Sequence, residues 1–188
     1  MKKPLITAAA LDYFKTRKRL WLKLLTASVP AIAVGVALRY IAFKQTVDIN
    51  GNPVAVDISG MFKDFVNVQI SAVAILISFS IAIITILVSA DNPNIKRLKE
   101  KHSTECKTLR NKQPLNLFQV LLSNITYNVL IEVVYLGFLI LCIFLQLYVG
   151  EAIFKWLMAV CVFFIIHILH ILLESVGQMY LTFWKHEE

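Results

Sequence analysis

Six polar side chains interrupt the last two apolar runs of the sequence. Asn124, Asn128 and Glu132 lie in the first run, and His167, His170 and Glu174 in the second. A carboxyl that can hold a proton, imidazoles that change charge near neutrality and amides that both donate and accept are the parts of proton relays, ion paths and metal sites. Spacings of four (124, 128, 132) and of three then four (167, 170, 174) place each set on one face if the runs are helical. Only Gly150-Glu151 breaks the chain between them. If the runs fold back there, at about 1.5 Å of rise per residue, positions that sum to roughly 300 meet at one depth. Glu132 is then expected opposite His167, Asn128 opposite His170 and Asn124 opposite Glu174.

An ionisable side chain among acyl chains costs at least about 2.5–3.5 kcal/mol at the bilayer centre. Glu132 and His167 must therefore face protein or water. Three chemistries fit the row. In the first, the groups bond across the hairpin and set its register, each bond contributing only about 0.6 kcal/mol. In the second, they carry protons or ions. In the third, His167-x-x-His170 with Glu174 and Glu132 binds a metal. No HExxH or paired ExxH motif is present, so no metal or other cofactor is assigned. There is also no Gly-x-Ser-x-Gly, phosphate loop or Asp-rich pair. The chain is not expected to be an enzyme.

The elements that must position this row are membrane helices. The 188 residues are 58% hydrophobic and 16% charged, with a mean hydropathy of +0.69. Soluble domains are nearer 45–50% apolar and about 25% charged. Four runs are long enough to cross a bilayer: 20–43, 65–90, 115–149 and 154–183. The remaining segments are too short for a soluble catalytic domain. The fold expected is an all-α integral membrane protein, a single four-helix domain over 1–188. Residues 1–19 form an amphipathic cytosolic segment with Leu11, Phe14, Lys18 and Leu22 on one face. Residues 44–64 form an external loop, with a small hairpin around Asn50-Gly51-Asn52-Pro53. Residues 91–114 form a basic cytosolic segment, helical from 94 to about 110.

The net charge of +7 does not signal nucleic acid, because of where the charge lies. Seven Lys/Arg fall within 1–23. Seven more fall in the 91–114 loop: Lys96, Arg97, Lys99, Lys101, Lys107, Arg110 and Lys112. The 44–64 loop has only Lys44 and Lys63 beside three aspartates. This is the positive-inside pattern, and it predicts both termini in the cytosol. The seven loop cations are candidates for contact with a cytosolic partner or with anionic lipid. In the first span Ala27, Ala31 and Gly35 recur every four residues, a small-residue row suited to close helix packing. Cys106, Cys142 and Cys161 show no metal or CxxC spacing and are expected to be free.

A basic amphipathic start (Lys15-Thr16-Arg17-Lys18-Arg19-Leu20-Trp21) leads into four spans, the second running into Asp91-Asn92-Pro93-Asn94-Ile95-Lys96-Arg97-Leu98. In this layout the chain resembles the small membrane subunits of bacterial anti-phage defence systems, the four-span membrane subunit of the Kiwa system in particular. The resemblance covers the full length and lies in layout, so it transfers no functional residue. It implies a multi-pass sensor in the bacterial inner membrane, working with a separate cytosolic effector. The expected function is accordingly a non-enzymatic sensor or adaptor that forms homo-oligomers in the bilayer and couples to a cytosolic protein. The alternatives are a small ion or proton channel lined by the polar row, and an assembly scaffold.

Overall fold

The computed structural model describes residues 13–14, 20–41, 46–47, 53–54, 57–89, 93–102 and 115–184. These form α1 (Leu20–Ile41), β1 (Thr46–Val47), β2 (Pro53–Val54), α2 (Ile58–Ser89), α3 (Pro93–Glu100), α4 (Leu117–Leu145) and α5 (Glu151–Trp184). α1, α2, α4 and α5 are each long and apolar enough to cross a membrane. The protein is an all-α, multi-pass membrane protein. Its two strands have two residues each and pair antiparallel, Thr46 with Val54 and Val47 with Pro53.

The four spans are not packed in chain order throughout. α5 lies between α1 and α4, and α4 lies between α5 and α2. The spacing of buried residues explains this. Along α4, Leu121, Ile125, Asn128, Glu132, Tyr135, Leu139 and Cys142 are all buried. They alternate steps of four and three, the seam of two helices packed with slight supercoil. Along α2 the buried residues Val66, Val73, Ser80 and Leu87 recur every seven. α4 thus meets α2 along a continuous stripe and turns its adjoining face to α5. Tyr135 sits at the middle, its ring stacked on Phe164 of α5 and its hydroxyl donating to Gln69 Oε1 of α2 at 3.3 Å. Valines, leucines and isoleucines such as Val133, Val134, Leu141 and Leu173 point outward. In a membrane helix that is the surface for acyl chains.

The ends of the helices differ from the sequence reading, and α5 runs over Glu151–Trp184 against the expected 154–183. α2 starts at Ile58, seven residues before the expected span, because Asp57 Oδ1 accepts from the Gly60 N–H at 2.8 Å and caps the first turn. The basic helix α3 ends at Glu100, with Lys101 and His102 outside it, and positions 103–110 of the expected helix lie outside the described residues. Just beyond its end the Lys101 carbonyl accepts from the Leu117 N–H at 2.9 Å, and His102 bridges to Asn116. α4 starts at Leu117 and ends at Leu145, shorter than the 115–149 run. Asn116 and Gln119 form a reciprocal capping box at its start. At its end Gln146 Nε2 donates to both the carbonyl and the hydroxyl of Ser59, each at 3.1 Å, tying the α4–α5 turn to α2.

The amphipathic segment before α1 is described only at Tyr13 and Phe14. Tyr13 is fully buried and stacked on Tyr127 of α4, with ring centroids 3.9 Å apart, whereas Phe14 is half exposed. Of the expected face, Phe14 and Leu22 are exposed, while Leu11 and Lys18 fall outside the described residues. A stacked ring displaces the expected one because Tyr127 offers a flat partner and the Phe14 position meets it only edge-on.

Candidate functional site

Four of the six polar residues are buried, and their pairing is not the one the hairpin arithmetic predicts. Asn124, Asn128 and Glu132 are fully buried and His167 nearly so, while His170 and Glu174 are half-buried. Glu132 Oε1 accepts from Asn128 Nδ2 at 2.8 Å, one turn away on the same helix, and from Ser80 Oγ of α2 at 3.0 Å. Asn128 Nδ2 also lies 3.4 Å from Ser80 Oγ. His167 Nε2 meets the Tyr127 hydroxyl at 3.3 Å. Asn124 Nδ2 reaches Gln178 Oε1 at 3.5 Å, and Gln178 Nε2 donates to Glu174 Oε1 at 3.4 Å. Glu174 Oε2 takes an ion pair from Lys23 of α1. His170 makes no hydrogen bond with the other described residues.

The expected partners Glu132–His167, Asn128–His170 and Asn124–Glu174 are therefore replaced by three separate units. One joins α2 to α4 (Ser80, Glu132, Asn128). One joins α4 to α5 (Tyr127, His167). One ties α1, α5 and α4 together (Lys23, Glu174, Gln178, Asn124). The physical reason is rotation. A step of four residues turns a helix about 40° beyond a full circle, so residues 124, 128 and 132 drift roughly 80° around α4. Asn124 looks at α5, and Glu132 has come round to α2. Depth matching holds along the helix axes, but azimuth decides the contacts.

Within the polar row, Glu132 Oε2, Asn128 Oδ1 and His167 Nδ1 are buried with no hydrogen-bond partner among the described residues. An unmade bond on a buried polar atom costs about 1–3 kcal/mol. The Ser80–Asn128–Glu132 unit thus retains capacity to bind a proton or a polar ligand at the middle of α4. Among the described residues no three His, Cys, Asp or Glu converge as a metal site. Cys142 and Cys161 are buried free thiols.

Sequence reasoning missed Ser80, Tyr127, Gln178 and Lys23. Ser80 resembles the other hydroxyls of α2, yet Ser71, Ser78, Thr85 and Ser89 all bond back to carbonyls of their own helix. Its signal was the seven-residue spacing of Val66, Val73 and Leu87. The small-residue row of α1 is spent within the chain: Ala27 and Ala31 are buried, and a Cβ at Gly35 would sit 3.4 Å from Ala159 Cβ of α5. Of the basic candidates, Lys96, Arg97, Lys99 and Lys101 are exposed, with Lys99 Nζ 5.1 Å from the centre of the Phe118 ring. Lys107, Arg110 and Lys112 lie outside the described residues. Compared with known proteins, the chain matches no family model, no curated protein and no solved structure.

Proposed function

We propose that this protein is a non-enzymatic sensor or adaptor subunit of a bacterial inner membrane, with both termini in the cytosol, coupled to a cytosolic effector. The resemblance in layout to Kiwa-type membrane subunits supports anti-phage defence as the setting of this reading, with homo-oligomers as the proposed working form. One observation carries it. α3 is a short amphipathic helix whose Ile95 and Leu98 are buried against the bundle while Arg97, and Lys101 just past its end, stay exposed. The Lys101–Leu117 bond fixes its end. A basic face held this firmly beside the spans suits docking of an acidic protein surface. Co-purification from the native host tests it. The parent protein is expected to bring down a cytosolic protein, and Arg97→Glu/Lys101→Glu to lose it with the fold intact. A solitary monomer with no bound protein contradicts the proposal.

A second reading, a proton or ion channel, is favoured by Glu132 Oε2 and His167 Nδ1, buried polar atoms with bonding capacity to spare. Proton flux in liposomes tests it. The channel reading expects flux in the parent that falls in Glu132→Gln and His167→Ala. No parent flux, or unchanged flux in both variants, removes it.

A further inference from the structure

A groove of about 380 Å³ opens between α1 and α5. Its floor is made of small side chains, Ala31 and Gly35 on α1 and Ala159 on α5, where the two backbones come close. Ile32 and Val36 stand exposed along one rim. The groove runs from Ser28 to Arg39, eleven residues or about 16 Å along the helix. At its end stand Arg39, exposed in the last turn of α1, and Trp156, 67% exposed near the start of α5. Among the described residues Arg39 has no ion-pair partner. The apolar groove with Asp64 in its wall opens on the other flank of α1.

We infer that this groove binds one anionic phospholipid, with an acyl chain along the Ala31–Gly35–Ala159 floor and the headgroup phosphate on Arg39. The inference rests on the membrane character of the helices and not on the adaptor reading. Charge complementarity selects the occupant. A guanidinium offers paired N–H donors that match a phosphate, and the Trp156 indole N–H adds a donor at the same level. Arg and Trp at the end of a span lie where headgroups lie. Phe163 forms part of the groove wall and stacks on His167, 5.9 Å between centroids, so the occupant lies one ring from the buried polar row.

The test uses the full chain with Trp21→Phe and Trp184→Phe, leaving Trp156 as the only indole, reconstituted in vesicles. Phosphatidylglycerol brominated on an acyl chain is compared as a quencher with phosphatidylcholine carrying the same brominated chains. The anionic lipid is expected to quench Trp156 at about fivefold lower mole fraction, the advantage one basic side chain gives near anionic lipid. Arg39→Gln is expected to erase the preference. Val160→Trp, a substitution in the groove wall, is read by counting bound lipids in native mass spectrometry and is expected to lose the bound lipid. Equal quenching by both lipids overturns the inference, as does a preference that survives Arg39→Gln. Displacement by inorganic phosphate beyond that by chloride at equal ionic strength would mark a soluble-anion site and also overturn it. So would efficient disulfide cross-linking of Val36→Cys to a second copy, which would place a helix where the acyl chain is assigned.

Discussion

α1 and α4 both lie along α5, and they are built of opposite materials. The α1 contact uses Ala27, Ala31 and Gly35 against Ala159, with a single ion pair at one end. The α4 contact uses Tyr127, Tyr135, Cys142 and the buried polar groups, and α4 carries the same stripe round to α2. Small residues let backbones approach and gain dispersion over a shallow surface. Large rings and hydrogen-bonded groups interlock and admit few alternative registers. The lesson is a division of labour: α2, α4 and α5 form the specified core, and α1 is a peripheral helix laid on it. The groove lies on the α1 side, where the packing is shallow, and the polar row lies on the α4 side.

That division can be broken by substitution. The largest effect is expected from Tyr135→Ala, which empties the point where α2, α4 and α5 meet; by analogy with buried aromatic truncations it should cost about 3–5 kcal/mol, read by steric trapping or thermal unfolding in detergent. A cost below 1 kcal/mol would mean α4 is no better specified than α1. Next is Glu132→Leu, which leaves Asn128 Nδ2 and the Ser80 hydroxyl without their shared acceptor and should cost about 1–3 kcal/mol. Glu132→Gln retains an acceptor oxygen and should cost less than half as much. Equal losses in the two would show that the hydrogen bonds contribute nothing. Lys23→Met removes the α1–α5 ion pair, which is partly exposed, and should cost about 1 kcal/mol or less. Glu174→Gln in the same chain should recover part of that. Gly35→Ala is expected to be smallest, within about 0.5 kcal/mol, because an ordinary 3.4 Å contact to Ala159 Cβ is offset by alanine's better helix propensity.

The four apolar helices and the α4–α5 hairpin were legible in the sequence, because span length and apolar content are dictated by bilayer thickness. So was the inward direction of Glu132 and His167, because lipid cannot solvate them. The partners were not legible. Pairing by summed residue numbers tracks depth and ignores azimuth, and azimuth sent Glu132 to Ser80 and Asn124 to Gln178. Lys23 was read as one of a basic cluster at the bilayer surface, yet its long side chain reaches back along α5 to Glu174. The early start of α2 turned on one Asp57 cap, and the end of α4 lay four residues short of the apolar run. Such local contacts decide element ends within a few residues.

The Glu132 carboxyl is enclosed between α4 and α2, bonded to Ser80. Cysteine cross-linking in a chain otherwise free of cysteine tests it most directly, pairing Ser80→Cys with Glu132→Cys and, as control, with Val133→Cys, whose side chain points outward. Rapid disulfide formation for the 80–132 pair and none for 80–133 is the expected result. Cross-linking through 133 but not 132 would contradict it, because Glu132 would then face the lipid.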